Sequence, residues 1–194
     1  MAYPGYLVEY ILRWPGRKSA YPYQRFYRAL YGYTQVVSKS TGKHYVYHRE
    51  GVLTKYPFIK ASRNAVIIPD NALQPLLAFL KTGKNPAHRF EDVSNWTDLV
   101  KYSVQETTVR PEDAAAAVFS AISRIFVKTI TGQRPALALL NDLDVLSPDE
   151  IYSLYYAISQ VYRSKWYSAF STVPDYADIA ARVDALVARV SSSI

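Results

Sequence analysis

Cysteine is absent from this chain of 194 residues and methionine occurs once. No disulfide, thiolate zinc site, iron–sulfur cluster or cysteine nucleophile can form, and cysteine usage says nothing about redox compartment. Both scarcities suit a thermophile, because these side chains oxidise readily, although drift explains them equally in a short chain. Histidine is nearly as rare, with three copies. His44 and His48 are the close pair; on a strand they stand about 13 Å apart, too far for one metal ion. On a helix they could pair, but a third ligand is missing. No run of about 18 apolar residues is present, as a membrane span needs. The stretch 6–14 lacks the basic start, apolar centre and small-residue cleavage site of a secretory signal. Phosphate-cradling glycine loops, G-x-S-x-G, zinc-finger and RRM signatures are all missing, so sequence-specific regulation has little support.

Acidic residues are scarce at one end only. The first 63 residues hold eleven Lys or Arg against Glu9 and Glu50, a net +9, interleaved with eleven Tyr; the other 131 residues carry a net −2. A basic, aromatic segment joined to a nearly neutral body is the pattern of a chain that grips a polyanion. The candidate phosphate partners are Arg13, Arg17, Lys18, Arg25, Arg28, Lys39, Lys43, Arg49, Lys55, Lys60 and Arg63. Tyr21, Tyr23, Tyr27, Tyr31 and Tyr33 can add a hydroxyl contact or a ring against sugar and base. If six cations meet duplex phosphates, log affinity falls with log salt at a slope of about −5. The competing reading is a solvated basic surface whose Tyr fill a core.

Proline and glycine punctuate residues 1–65, leaving short amphipathic pieces at 6–14 and 24–30. Residues 31–37 and 43–52 alternate around Ser38–Gly42 and read as a hairpin, or as an extended arm bound to something else. Ala65–Ile68 is a short buried strand or a connector. Helices are expected at 70–81, capped by Asp70 or Asn71 and closed by Gly83; from Ser94 to 106; from Pro111 to 130, stopped by Gly132; from a capping box at Ser147 and Glu150 to 170; and at 175–190. Aromatics at Tyr152, Tyr155, Tyr156, Tyr162, Trp166 and Tyr167 have the spacing of helix packing, while Arg163 and Lys165 offer partner contacts. The expected fold is therefore mainly α, an antiparallel helical bundle body over 66–194 with a basic, Tyr-rich arm over 1–65.

The carboxylate pairs Glu91/Asp92, Glu112/Asp113, Asp142/Asp144 and Asp149/Glu150 could suggest metal-assisted cutting. Two of them stand in first turns of expected helices, where the helix dipole explains them. A metal-independent nuclease using His44 or His48 with nearby Lys and Tyr is one alternative. The expectation is a protein that is not an enzyme and needs no cofactor.

From Pro111-Glu-Asp-Ala through 162–170, with Tyr-Arg-Ser-Lys-Trp-Tyr, to Val173-Pro-Asp-Tyr176 and a last apolar helix, the layout resembles the helical body of coat proteins from rod-shaped and filamentous archaeal DNA viruses. The resemblance covers about 110–190. It implies paired subunits, identical or homologous, that wrap linear double-stranded DNA in a helical filament, with basic N-terminal segments on the phosphates. It implies helix or extended arm where 31–52 reads as a hairpin, and a place in a virion assembled in the host cytoplasm. Independently, a protein coating DNA regardless of sequence needs repeated backbone contacts rather than base readers. The expected function is thus a sequence-independent DNA-binding structural protein; the alternative in the same class is a single-stranded nucleic-acid binder.

Overall fold

The computed structural model describes residues 2–13, 21–84 and 96–192. It corrects the helical bundle with an arm: the fold is mixed α/β, and the N-terminal segment lies at the centre of a sheet. The elements are β1 (Tyr3–Leu12), α1 (Tyr21–Tyr31), β2 (Tyr33–Ser38), β3 (His44–Arg49), β4 (Ile59–Ser62), β5 (Ala65–Ile68), α2 (Asp70–Thr82), α3 (Trp96–Leu99) and β6 (Val100–Val109). There follow α4 (Pro111–Arg124), β7 (Phe126–Thr129), β8 (Gly132–Pro135), α5 (Ala136–Asn141), α6 (Pro148–Tyr162), α7 (Tyr167–Thr172) and α8 (Ala177–Ser191).

The main sheet is antiparallel, in the order β4-β5-β1-β6. β1 pairs with β6 along its whole length, Tyr3 opposite Val109 and Leu12 opposite Val100. Its alternate residues divide between the faces, as a period of two demands. Val8, Tyr10 and Leu12 are buried with Phe26 and Leu30 of α1 and Leu76, Phe79 and Leu80 of α2. On the opposite face, Gly5 lies under Trp166, and Tyr3, Ile59 and Ile67 pack against a second core built from α4 to α8. Because parts of both faces are covered, apolar residues occupy both registers of β1; Trp14, the end of the expected piece at 6–14, lies outside the described residues. The resulting pattern reads as a short amphipathic helix but forms a strand.

The helix expected from Ser94 to 106 is likewise corrected. Trp96–Leu99 is a single turn, and Val100–Val109, with Val104, Thr107, Thr108 and Val109, is the long strand β6. β-branched side chains favour a pleated surface, and ten rungs with β1 outweigh the helical spacing. Ser94 itself is outside the described residues. The helix from Pro111 ends at Arg124, and Gly132 turns a β7–β8 hairpin rather than stopping a helix. The helix from Ser147 ends at Tyr162; the Ser164 hydroxyl takes the Trp166 N–H, and α7 starts in a new direction.

Other expectations hold. Ser147 and Glu150 form a reciprocal capping box with Pro148 in the first turn. Gly83 closes α2 at φ 70°, in the left-handed region that favours glycine. The α2 N-cap is Pro69, however, with no side-chain cap. Asp70 is drawn instead to Lys165 at 2.8 Å, and the Asn71 amide donates to the Gln160 carbonyl oxygen at 2.8 Å, tying the two cores together. No helix among the described residues is long and apolar enough to cross a membrane.

Candidate nucleic-acid interface

The β2–β3 ribbon is the sequence-expected hairpin. It closes through a left-handed Gly42 (φ 76°), whose N–H donates to the Lys39 carbonyl oxygen at 2.9 Å. Its base is pinched where two backbones touch. Gly32, at φ 79°, would place a Cβ 2.6 Å from the Arg49 carbonyl oxygen, and a Cβ on Gly51 would lie 2.1 Å from the Gly32 nitrogen. Glycine is required at both positions. The chain leaving the ribbon then caps α1: Val52 and Leu53 N–H groups bond the Ala29 and Leu30 carbonyl oxygens at 2.9 Å. The Thr54 hydroxyl bridges the Gly51 N–H and the Tyr31 carbonyl oxygen. The ribbon is therefore mounted directly on the end of α1.

Cross-strand register sorts the ribbon into two faces. One carries Tyr33/Arg49, Gln35/Tyr47 and Val37/Tyr45 as opposed pairs. Cations stand over its rings: Arg28 over Tyr33 at 5.0 Å, Lys39 over Tyr45 at 4.8 Å and Arg49 over Tyr47 at 5.2 Å. Such stacking holds long cationic chains in place while leaving their N–H groups outward. The other face carries Thr34/His48, Val36/Val46 and Ser38/His44, with each histidine Nδ1 bonded across to the Thr34 or Ser38 hydroxyl. Val36 and Val46 are 62% and 52% exposed, so the outer half of the ribbon stands away from the body on this face too.

The expected contact residues fall into distinct places. Arg28, Lys39, Lys43 and Arg49 are exposed on or beside the ribbon. Lys60 and Arg63 are exposed around the β4–β5 turn, with Lys60 5.2 Å from the centre of the Tyr31 ring. Arg28 and Tyr31 are three residues apart on α1, so the ribbon base and the β4 cation meet on one helix. Arg13 is exposed at the end of β1, Arg25 is half-buried, and Lys55 is paired with Glu50 at 3.0 Å. Arg17 and Lys18 are outside the described residues, as is the side chain of Tyr21.

The tyrosines of α1 are mostly spent inside the fold. Tyr23 donates to the Leu12 carbonyl oxygen at 2.9 Å, and Tyr27 to Asn64 Oδ1 at 2.8 Å. Tyr31 and Tyr10 share a hydroxyl–hydroxyl bond of 2.6 Å, and burial pushes both phenols up. Tyr33 remains on the ribbon, joined by Tyr45 and Tyr47, which sequence reasoning left out of the site although their alternation with Val46 marked one strand face. Among the aromatics expected on the helix from Ser147, Tyr156 on α6 is 78% exposed, whereas Trp166 and Tyr167, which lie beyond its end, are buried.

A second docking holds the ribbon to the helical half. The His48 ring stacks on Phe126, with 3.4 Å between centroids and 11° between planes. The Gln133 amide accepts from the His48 N–H at 2.8 Å and donates to its carbonyl oxygen at 3.2 Å, acting as one rung of a strand on the β3 edge. Burial against this contact pushes the His48 imidazole down. Neither Phe126 nor Gln133 is signalled by the sequence, because their partner lies about 80 residues away. Among the described residues, no three His, Asp or Glu side chains converge as a metal site. No protein-family model, no curated protein and no solved structure matches this chain.

Proposed function

We propose that the protein is a sequence-independent DNA-binding structural protein whose β2–β3 ribbon lies along the phosphate backbone of a duplex. The observation carrying this reading is the ribbon face that sets Arg28, Lys39 and Arg49 over Tyr33, Tyr45 and Tyr47. No acidic residue intervenes between Glu9 and Glu50. Six residues per strand give a ribbon about 20 Å long, and a groove about 12 Å wide admits a two-stranded ribbon. The cations are spread along it rather than gathered at a base-reading tip, which favours backbone contacts over sequence readout.

The narrower form of the proposal is a coat that packages linear double-stranded DNA in a filamentous virion. It is supported by surface available for subunit contacts. β6 is a ten-residue edge strand among the described residues, and Tyr156 and Val104 are exposed. An open edge and exposed apolar groups of this kind suit self-association. The exposed Tyr47 and Tyr156 rings favour the single-stranded binder as second reading, since bases stack on such rings.

Electron microscopy of the protein with linear duplex at low and high salt, beside a protein-only control, tests the proposal. Regular filaments that require DNA establish coating. Discrete particles formed only with single strands give the second reading its support, and no association with either form removes both.

A further inference from the structure

At the base of the ribbon, between β2, β3 and the end of α4, lies a cavity of about 320 Å³. Its lining includes Tyr33, Thr34, His48, Arg49, Phe126 and Arg124. The serine and threonine hydroxyls around it are already engaged: Thr34 with His48 Nδ1, Thr54 with Gly51 and Tyr31, and Ser123 with the Phe119 carbonyl oxygen. Glu50, the acid in the lining, is held by Lys55 at 3.0 Å, which offsets its charge.

Arg124 is different. Its guanidinium, 4.3 Å from the centre of the Phe58 ring, makes one hydrogen bond among the described residues, from Nη2 to the Tyr56 carbonyl oxygen at 3.1 Å. Nε is buried with no partner. Among the described residues no carboxylate pairs with it. Burial pushes the group down to about 10, which still leaves it charged at neutral pH. A cation taken from water without a counter-charge is destabilising, and an apolar side chain of similar size would pack better there. An arginine kept at such a cost to stability, with Nη2 donating to Tyr56 and Nε closed off, still offers its Nη1 donors to an anion.

We infer that this cavity binds a phosphate monoester carried on a flat aromatic body, a mononucleotide or the phosphorylated end of a strand, with Arg124 as the anion partner. The cavity is larger than phosphate alone, and the stacked His48–Phe126 pair and the Tyr33 ring supply flat walls for the remainder. Phosphate enters as the counter-charge that the fold does not provide. The site operates whether or not the ribbon holds duplex, so its failure leaves the ribbon reading intact.

Calorimetric titration of the full chain with adenosine 5′-monophosphate and with adenosine tests the site. The monophosphate is expected to bind at least tenfold more tightly than the nucleoside. Arg124→Met is expected to abolish that preference while its ligand-free melting temperature stays level or rises. No binding by the wild type, equal binding of nucleoside and monophosphate, or undiminished binding by Arg124→Met overturns the assignment. If Arg124→Met fails to fold, Thr34→Trp decides: it sits at an exposed position of the lining, so lost binding supports the site and retained binding overturns it. A short oligonucleotide with and without a 5′-phosphate then separates the sources. Tighter binding of the phosphorylated strand than of the same strand without its 5′-phosphate assigns a strand end, and equal binding of the two assigns a free nucleotide.

Discussion

Trp166 is the place to test how the two cores are joined. Its side chain is fully buried, and its indole N–H donates to the Pro4 carbonyl oxygen at 2.8 Å, beyond the part of β1 that β5 pairs. Trp166→Phe removes that donor and most of one ring. The orphaned acceptor costs about 1–2 kcal/mol. Roughly 40 Å³ of lost volume at about 24 cal/mol per Å³ adds about 1 kcal/mol. A loss of about 2–3 kcal/mol corresponds to a fall in melting temperature of roughly 4–12 °C for a chain of this size. A Cβ on Gly5 would lie 3.1 Å from Trp166 Cζ2 and 3.2 Å from the Ile68 carbonyl oxygen. Gly5→Ala should therefore cost about 1–3 kcal/mol on its own, and less in the Trp166→Phe background. Urea unfolding followed by circular dichroism, run as a double-mutant cycle, measures both terms. Coupling of about 0.5 kcal/mol or more is expected. A Trp166→Phe cost below about 0.5 kcal/mol, or an additive cycle, would refute the account of this seam.

The ribbon predicts a salt effect. Replacing Arg28, Lys39 and Arg49 with Ala should make the log affinity–log salt slope on random duplex shallower by about 2.7, and a change below about 1 in fluorescence anisotropy titrations would contradict phosphate contact. Ser147→Ala should cost about 1 kcal/mol by losing the reciprocal cap, read from denaturant midpoints at constant slope. Alkali should unfold the protein. Burial raises the Tyr10, Tyr31 and Tyr167 phenols, so their contribution is complete below the unfolded value near 10 and is lost as pH rises above it. The share of tyrosinate absorbance that these buried phenols supply should then appear together with loss of helical circular dichroism above about pH 10, and complete titration of all tyrosines in a still-folded chain would count against it.

The parts of the fold legible in the sequence were those with local causes. The capping box at Ser147, the stop at Gly83, the apolar stripe of α8 and the ribbon closed at Gly42 each depend on residues a few positions apart. β1 and β6 were not legible, because their pairing spans about a hundred residues and neither strand alternates cleanly. Of the candidate site, the segregated charge and one ribbon face could be read directly. Which tyrosines the core consumes could not, since Tyr23, Tyr27 and Tyr31 find their partners in Leu12, Asn64 and Tyr10. Arg124 carries no local mark either: it is the last residue of an ordinary helix, and what buries it comes from Tyr56 and Phe58.

The central position of β1 also dictates an order of events during synthesis. β1 is made about ninety residues before its partner at 100–109, so the sheet cannot close until the chain beyond Val109 has left the ribosome. At about 5–20 residues per second that is a wait of several seconds or more. During it the β1 edge that β6 will cover lies open beside the most basic stretch of the chain, even after β5 has paired with the other edge. The α1–ribbon unit, whose contacts are mostly local, has no such wait. A nascent chain stalled just before residue 100 should therefore present the ribbon and leave β1 protease-sensitive, and release past residue 109 should protect it.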